Sequence, residues 1–325
     1  MSFDRLQDKI DKMRNPTVVG LDPALKYIPP NMLKRYIASN GDTLEAAAAA
    51  VFEFSQGIID ALCDIVPAVK PQSAYYEALG PEGVLVLKKT CDYAKSRGMY
   101  VICDGKRNDI GTTAEAYSAA YLGSVKVGGA ELRPFDVDAL TVNAYFGSDG
   151  IKPFIETAVK YDKAIFALVK TSNPSSGELQ DLFVQRRDIS HKGGNFADVS
   201  AAVVEFSASR VYTAVGDLME EISRYTAGKY GYSRVGAVIG ATYPDEIKML
   251  RARLENTFFL VPGYGAQGGT ADNAALAFDK NGRGAVVNSS RGIIAAWTKT
   301  NKGYTFAARD EALRMREELR AAIRI

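Results

Sequence analysis

Short apolar runs alternate along this chain with longer stretches in which apolar side chains recur every three or four positions. Runs of four to seven apolar residues, rich in β-branched and aromatic side chains, predict buried strands. Spacing by three and four predicts helices with one apolar face. Eight predicted strands follow one another, at residues 16–22, 65–70, 99–103, 139–145, 164–170, 235–241, 257–262 and 284–289.

Helical periodicity occupies most of the intervals between these strands. The predicted helices span residues 42–64, 81–97, 112–121, 149–161, 244–254 and 311–323. Asp42 and Glu45 stand three apart before the first of them, which predicts a capping box at its start. Residues 23–41 are rich in proline and asparagine and are predicted to form a loop.

Regular alternation of strand and helix predicts a parallel sheet. Eight strands favour an α/β fold of the (β/α)₈ TIM-barrel type, built as a single domain over residues 1–325. An open doubly wound sheet is the alternative architecture for the same alternation.

One interval, residues 172–234, is too long for a single strand–helix unit. The apolar spacing over 204–225 predicts a long helix in its second part. Residues 173–195 are polar and mixed, and we expect them to form an insertion after the fifth strand, at the rim or as a lid. A surface excursion without a role at a site is the alternative.

Composition narrows the classes of function. Lysine and arginine number 40 against 38 aspartate and glutamate, a formal charge of +2 with no basic block, which argues against a nucleic-acid partner. No stretch has the apolar length of a membrane span, and residues 1–14 are too charged for a signal peptide, so no membrane association is expected.

Cysteine and histidine usage points away from metal and disulfide chemistry. Cys63, Cys91 and Cys103 form no CxxC pair, which favours reduced thiols in a cytoplasmic protein. His191 is the one histidine, so a histidine-rich zinc site is excluded.

The stretch 103–113, Cys-Asp-Gly-Lys-Arg-Asn-Asp-Ile-Gly-Thr-Thr, lies where the third strand gives way to a helix. This is the usual position of functional groups in α/β barrels. Asp104 and Lys106 are two apart, so on an extended chain their side chains leave the same face, and Asp109 follows after the turn. Charges so close to a buried strand are costly unless they pair. An ion-pair cluster that merely closes the strand end is the structural alternative.

Polar and charged residues also end several other predicted strands. They are Asp22, Lys70, Asn143, Lys170 with Thr171 and Ser172, the stretch 262–269, and Ser289 to Gly292 with Arg291. Because the carboxyl ends of parallel strands meet at one rim, charges of alternating sign at this rim favour a functional site.

The last two strand ends have the composition of a phosphate site. Four glycines at 263, 265, 268 and 269 would let backbone amides approach an anion. Gln267 offers an amide donor, and Arg291 offers a planar fork suited to phosphate oxygens. Plain turn chemistry is the alternative reading of the glycines, but barrels commonly bind phosphate at the loops after strands seven and eight.

The motif Asp104-x-Lys106-x-x-Asp109-Ile110 resembles the catalytic signature of the orotidine 5′-phosphate decarboxylase family. The longer form, Asp-Gly-Lys-Arg-Asn-Asp-Ile-Gly-Thr-Thr, is similar to the longer bacterial branch, type 2. Further similarity lies at 20–23, 69–71, 141–143, 170–174, 262–269 and Arg291. A related superfamily shares Asp-x-Lys-x-x-Asp and performs other chemistry, so the central motif alone does not fix the reaction.

The resemblance implies a metal-free and cofactor-free decarboxylation of orotidine 5′-phosphate to UMP, in pyrimidine biosynthesis. It implies that Lys106 donates a proton to C6 of the pyrimidine and that Asp104 lies beside the substrate carboxylate. Lys70 and Asp109 would complete an alternating Lys-Asp-Lys-Asp array. The implied substrate-binding residues are Asp22, Thr113, Ser172, Pro262, Gln267 and Arg291.

The resemblance also implies a homodimer in which Asp109 reaches into the neighbouring subunit's site. Two alternatives remain open. One is a Mg²⁺-dependent aldolase resembling hexulose-phosphate synthase, and the other is a catalytically silent nucleotide-binding barrel.

Overall fold

The computed structural model describes residues 1–191 and 202–324 of the chain. Eight parallel strands close into a barrel in the order β1-β12-β11-β10-β7-β6-β3-β2. The twelve strands in this part of the chain are β1 Thr17–Leu21, β2 Ala68–Pro71, β3 Tyr100–Arg107, β4 Val125–Val127, β5 Ala130–Leu132, β6 Ala139–Val142, β7 Ala164–Lys170, β8 Phe183–His191, β9 Ala202–Arg210, β10 Val235–Ile239, β11 Phe259–Val261 and β12 Ala285–Ser289. The predicted single-domain TIM barrel is therefore confirmed, and several of its strands are shorter than predicted.

Helices connect the barrel strands and cover the outside of the sheet. They are α1 Ser2–Met13, α2 Pro30–Asn40, α3 Leu44–Leu62, α4 Ser73–Glu77, α5 Gly80–Ser96, α6 Gly111–Tyr121, α7 Ser148–Tyr161, α8 Gly177–Gln180, α9 Val211–Ser223, α10 Pro244–Arg253, α11 Ala271–Ala275, α12 Arg291–Ile294 and α13 Tyr304–Ile323. Within residues 1–191 and 202–324, no helix has both the length and the apolar character needed to cross a membrane.

Alternation along each strand divides the buried side chains between two cores. Outward-facing strand residues pack against the helices, and inward-facing ones fill the barrel. Helix α1 closes the amino-terminal end of the barrel with Phe3, Leu6 and Ile10, which are spaced three and four apart. The ring of Phe3 lies 4.9 Å from that of Phe166 on β7. The amino-terminal end is thus filled by side chains, which leaves the opposite end available for a site.

Residues 23–41 contain a helix where a loop was predicted. Pro30 occupies the first turn of α2 and Gly41 ends it with a φ of 69°, both standard helix boundaries. Met32 is buried, and Leu33 and Tyr36 pack beside it against the core, so the helical spacing was present in the sequence and the loop prediction overlooked it. The predicted capping box is also wrong in detail, because Thr43 caps α3 by accepting a hydrogen bond from the Ala46 amide at 3.2 Å.

The first part of the predicted helix 204–225 is strand β9, and only α9, Val211–Ser223, is helical. The sequence there alternates apolar and polar residues, a period of two that the helix prediction overlooked. Strand β9 pairs antiparallel with β8, from Phe183 opposite Arg210 to His191 opposite Ala202. The predicted insertion 173–195 therefore contains one strand of a two-stranded ribbon, and its residues 192–195 lie outside the described residues.

A second hairpin escaped prediction altogether. Strands β4 and β5 are three residues each and pair antiparallel around Gly128 and Gly129. They are too short to produce a periodic signal. The last helix, α13, also begins at Tyr304, seven residues before the predicted start.

Candidate active site

A cavity of about 500 Å³ opens at the carboxyl ends of the barrel strands. Eight of the ten predicted site residues line it: Asp22, Lys70, Asp104, Lys106, Ser172, Pro262, Gln267 and Arg291. The barrel therefore brings together groups that lie as far apart in sequence as Asp22 and Arg291.

In the lining of the cavity a carboxylate lies between two ammonium groups. Lys70 Nζ is 2.6 Å from Asp104 Oδ2, and Lys106 Nζ is 2.6 Å from Asp104 Oδ1. The side chains of Lys70 and Asp104 are 5% and 10% exposed, whereas that of Lys106 is 46% exposed. Lys106 is thus the most exposed member of the trio.

Two neutral side chains complete the surroundings of Asp104. Gln72 donates to Oδ2 at 2.8 Å, and the Thr141 hydroxyl donates to Oδ1 at 2.8 Å. Each carboxylate oxygen therefore accepts one charged and one neutral donor, a saturated arrangement that favours the ionised form.

The charge balance of the trio follows from these contacts. Burial alone would raise the pKa of Asp104, but the charges of Lys70 and Lys106 outweigh it and hold that pKa well below its usual range. Burial likewise would lower the pKa of Lys70, yet the carboxylates of Asp104 and Asp22 raise it overall. The carboxylate and the buried ammonium of Lys70 thus favour each other's charged forms.

Strand β3 reaches this geometry through an irregular backbone. Cys103 pairs with Leu140 and Arg107 pairs with Val142, so three residues of β3 lie opposite one residue of β6. Within this bulge Lys106 has a φ of 47°, in the left-handed region that side chains other than glycine seldom adopt. The predicted meeting of the Asp104 and Lys106 side chains is correct, but an extended chain is not what produces it.

Two buried oxygens facing the cavity lack partners among the described residues. They are Oδ1 of Asp22, after β1, and Oδ1 of Asn288, on β12. Buried polar atoms are normally hydrogen-bonded, so both are candidate acceptors for donors of a bound molecule.

The glycine-rich loop after β11 differs from its prediction. Gly263, Gly265 and Gly268 have positive φ values, as a tight turn requires. The amides of Gly265, Gly268 and Gly269 donate to carbonyls of the same loop, so they do not face an anion as expected. The side chains of Gln267 and Arg291 are exposed at the cavity instead, and Arg291 Nη2 donates to the Ala266 carbonyl at 3.0 Å, which joins the two loops.

Asp109 and Thr113 stand outside the cavity of their own chain. Asp109 is half-buried beyond the β3 bulge, and its carboxylate accepts a hydrogen bond from the backbone amide of Ile110 at 2.8 Å. Thr113 is exposed in the first turn of α6. One chain alone therefore assembles three members of the expected four-residue array.

The segment after β7 is tied to the barrel through Lys170. This lysine is fully buried. Its Nζ lies 2.7 Å from Asp181 Oδ1 and 4.5 Å from the centre of the Tyr243 ring. A Cβ at Gly240 would approach Ser172 to 2.7 Å, so glycine there allows Ser172 to sit against the cavity wall. Lys170 anchors the start of the insertion and Ser172 faces the cavity.

Sequence reasoning missed Gln72 and Asn288, and it cited Thr141 only as part of a motif. All three are polar residues within or directly after an apolar strand, which is the signal that could have found them.

Comparisons with known proteins agree with this geometry. Residues 53–303 match the model of the orotidine 5′-phosphate decarboxylase / HUMPS family. The chain is 41% identical over 294 residues to orotidine 5′-phosphate decarboxylase of Caldicellulosiruptor bescii, covering 90% of this chain and 89% of that protein. It is 40% identical to the Rhodopirellula baltica enzyme of the same name, covering 94% of each.

Solved structures give the same answer. The putative orotidine 5′-phosphate decarboxylase from Streptomyces avermitilis superposes with a TM-score of 0.71 at 30% identity, covering 99% of this chain and 95% of that one. A putative orotidine-monophosphate decarboxylase from Toxoplasma gondii gives a TM-score of 0.74 at 26% identity, covering 99% and 97%. This chain belongs to the orotidine 5′-phosphate decarboxylase / HUMPS family.

Proposed function

We propose that this protein converts orotidine 5′-phosphate to UMP and CO₂, as a carboxy-lyase of pyrimidine biosynthesis. The observation that carries the proposal is the partly exposed ammonium of Lys106, held 2.6 Å from the buried Asp104 carboxylate in the cavity lining. A fixed positive charge beside a fixed negative one suits a reaction in which a substrate carboxylate leaves and a carbanion forms.

Arg291 and Gln267 bind the 5′-phosphate at the exposed end of the cavity in this proposal. Arg291 presents a guanidinium fork that matches phosphate oxygens, and Gln267 adds an amide donor. Asp22 and Lys70 contact the ribose hydroxyls, and the unpartnered Oδ1 of Asp22 supplies a suitable acceptor. Phosphate binding far from the reacting carbon supplies energy for positioning it.

The pyrimidine then lies between Ser172, Pro262 and the charged trio. Its carboxylate is placed beside Asp104, and loss of CO₂ leaves an electron pair at C6. The Lys106 ammonium stabilises this negative charge and transfers a proton to C6, which gives UMP. Asp104 already has four donors, so it remains a carboxylate throughout.

The same saturation supports decarboxylation over the Mg²⁺-dependent aldolase alternative. Both oxygens of Asp104 are already engaged by ammonium, amide and hydroxyl donors, which leaves this carboxylate poorly suited to a hard cation. A silent nucleotide-binding barrel would have no need of a carboxylate beside an anionic ligand.

The decisive experiment is the decrease in absorbance of orotidine 5′-phosphate with the purified protein, with and without EDTA. We expect turnover that EDTA does not change. Turnover abolished by EDTA and restored by Mg²⁺ would favour metal-dependent chemistry, and binding of UMP without any turnover would favour the silent barrel.

We further propose that the active form is a homodimer in which Asp109 completes the neighbouring subunit's array, with Thr113 at the same boundary. The position of Asp109 outside its own cavity supports this arrangement.

Subunit exchange tests this arrangement. Subunits of two inactive variants, Lys106→Ala and Asp109→Ala, are allowed to exchange. In a mixed two-fold dimer one site carries both defects and the other carries neither, so activity rises towards about a quarter of wild type. Baseline activity after exchange confirmed by mass would mean that Asp109 acts within one chain.

The ribbon of β8 and β9, which begins in the insertion, is proposed as a lid over the cavity rim, anchored by the ion pair of Lys170 and Asp181.

A cytoplasmic location is also proposed. Burial raises the pKa of the Cys103 thiol to about 12 and that of Cys91 well above its usual value, which suits thiols that stay reduced.

A further inference from the structure

Thr141 lies on β6 beside the β3 bulge, and its hydroxyl contacts both the carboxylate of Asp104 and the backbone amide of Lys106. Its Oγ1 accepts the backbone amide of Lys106 at 2.9 Å and lies 2.8 Å from Asp104 Oδ1. Thr141 is 1% exposed, so water does not compete for either bond.

The direction of both hydrogen bonds is fixed by chemistry. A backbone amide can only donate, so the Thr141 oxygen accepts from Lys106. An ionised carboxylate can only accept, so the Thr141 proton goes to Asp104. The hydroxyl therefore connects the backbone of Lys106 to the carboxylate that holds its ammonium.

The hydrogen bond to Thr141 is made by the residue of the bulge that has a strained backbone, Lys106. Lys106 has a φ of 47°, a conformation that costs about 1 kcal/mol or more unless its surroundings maintain it. The Thr141 hydroxyl accepts the amide of that same residue, at the point where β3 and β6 lose register. Removing this acceptor removes the side-chain bond that holds the Lys106 backbone in the bulge.

We propose that Thr141 is a positioning residue that fixes the backbone of Lys106, and thereby the ammonium, relative to Asp104. The inference rests on the proposed function, since it assigns Lys106 its catalytic place. Thr141 neither gives nor receives a proton in the reaction and acts only through its two neighbours.

The test is the pair of variants Thr141→Val and Thr141→Ser. Valine has nearly the shape of threonine but lacks the hydroxyl, and serine retains the hydroxyl. We expect Thr141→Val to lower kcat by about 10- to 100-fold, because small misplacements of a reacting group have effects of that size. KM for orotidine 5′-phosphate and the affinity for UMP are expected to change less than threefold, and Thr141→Ser should restore most of kcat.

Thr17→Val is the matched control. Thr17 is also a buried threonine on a barrel strand, β1, but it lies at the amino-terminal end and its Oγ1 has no partner among the described residues. The same substitution there should leave kcat unchanged. A loss of kcat caused merely by placing valine in the barrel would appear in this control.

Hydrogen exchange of the Lys106 amide gives a readout that needs no turnover. We expect faster exchange in Thr141→Val than in wild type and Thr141→Ser. Unchanged exchange, kcat of Thr141→Val within twofold of wild type, or equal loss in Thr141→Ser would each overturn the proposal. If wild type itself fails to decarboxylate orotidine 5′-phosphate, the proposed function is wrong, while the exchange result still decides whether Thr141 holds Lys106.

Discussion

The barrel contains two clusters at opposite ends, each built around one aspartate and two lysines, and the aspartate of the amino-terminal cluster also pairs with Arg133 at 3.2 Å. At the carboxyl end Asp104 pairs with Lys70 and Lys106, both at 2.6 Å. At the amino-terminal end Asp136, before β6, pairs with two lysines at 2.5 and 2.7 Å, which are Lys95 of α5 and Lys163 before β7. Each cluster even includes one residue with a left-handed backbone, Lys106 at 47° and Asp136 at 50°.

The clusters differ in what their lysines can still do. Lys95 and Lys163 also donate to the Asp136 backbone carbonyl, at 2.6 and 3.3 Å, so both contribute to holding that loop. Lys106 is 46% exposed and faces the cavity, whereas Lys163 is 5% exposed. The comparison teaches that the composition of an ion cluster does not assign its role, whereas the end of the barrel at which it lies does.

The largest difference between the clusters should appear when one lysine is removed from each in turn. Lys106→Ala is expected to lower kcat by at least about four orders of magnitude, since it removes both the charge beside C6 and the proton donor. Circular dichroism should remain that of wild type, and Lys106→Arg should not rescue, because guanidinium is a poor proton donor. Lys95→Ala is the matched control and should retain kcat. Turnover of Lys106→Ala within tenfold of wild type would remove Lys106 from the mechanism.

The two aspartates should differ in how much stability each provides. Asp104→Asn leaves Lys70 buried beside a neutral amide and is expected to lower the free energy of unfolding by about 3–5 kcal/mol at pH 7. Because the pKa of Asp104 is depressed in the folded state, its stabilisation is complete above the unfolded pKa and decreases as pH falls below about 4. Denaturant unfolding of both proteins from pH 3 to pH 8 should show the difference narrowing at the acid end. A difference that does not vary with pH would show that ionisation of Asp104 is not the source.

Arg291 separates binding from chemistry within the carboxyl-end site. Arg291→Ala should lower kcat/KM for the nucleotide by about 10- to 100-fold, the loss of one or two charge-assisted hydrogen bonds. Turnover of the phosphate-free nucleoside should hardly change. Equal losses on nucleotide and nucleoside would place Arg291 at the pyrimidine or ribose instead.

The smallest effect is expected at the amino-terminal end. Lys163 and Lys95 outweigh the effect of burial and lower the pKa of Asp136 to about 2. Asp136→Asn should therefore lower the free energy of unfolding by about 2 kcal/mol at pH 7, and this difference should disappear as pH falls from about 4 to about 2. Burial lowers the pKa of Lys163, which offsets part of the gain, but Lys163 stays protonated over this acid range and does not affect the pH dependence. A drop in kcat of the folded variant would show that the two ends are coupled.

The barrel itself was predictable because each of its strands is a compact apolar run. Helix α2 was not predicted, because the prolines and asparagines in residues 23–41 favoured a loop over the helical spacing of Met32, Leu33 and Tyr36, which pack against the core. Strand β9 was misassigned because Val204 lies seven positions before Val211 and so continues the helical spacing of α9, although the residues between them alternate apolar and polar.

At the site, Asp104 and Lys106 were predictable because they are neighbours in sequence. Gln72 directly follows β2 and Asn288 lies on β12, so these residues reach the same cavity only in the closed barrel, and a single sequence does not show that proximity. The left-handed backbone of Lys106 could not be predicted, because the sequence Gly105-Lys106-Arg107 does not require it. It is accompanied by a tertiary contact, the hydrogen bond from the Lys106 amide to Thr141.

The pairing of β1 with β12, in which Thr17 lies opposite Val287, has a consequence for synthesis of the chain. Asp22 leaves the ribosome long before β12, the strand that closes the barrel beside it. Ring closure over some 270 residues must then wait until β12 has been synthesised, because a non-local contact cannot form before both partners exist. Until that moment the sheet has two open edges, at β1 and at β11, which are templates for pairing with other chains. Catalytic competence and escape from aggregation should therefore be acquired in the same late step of folding.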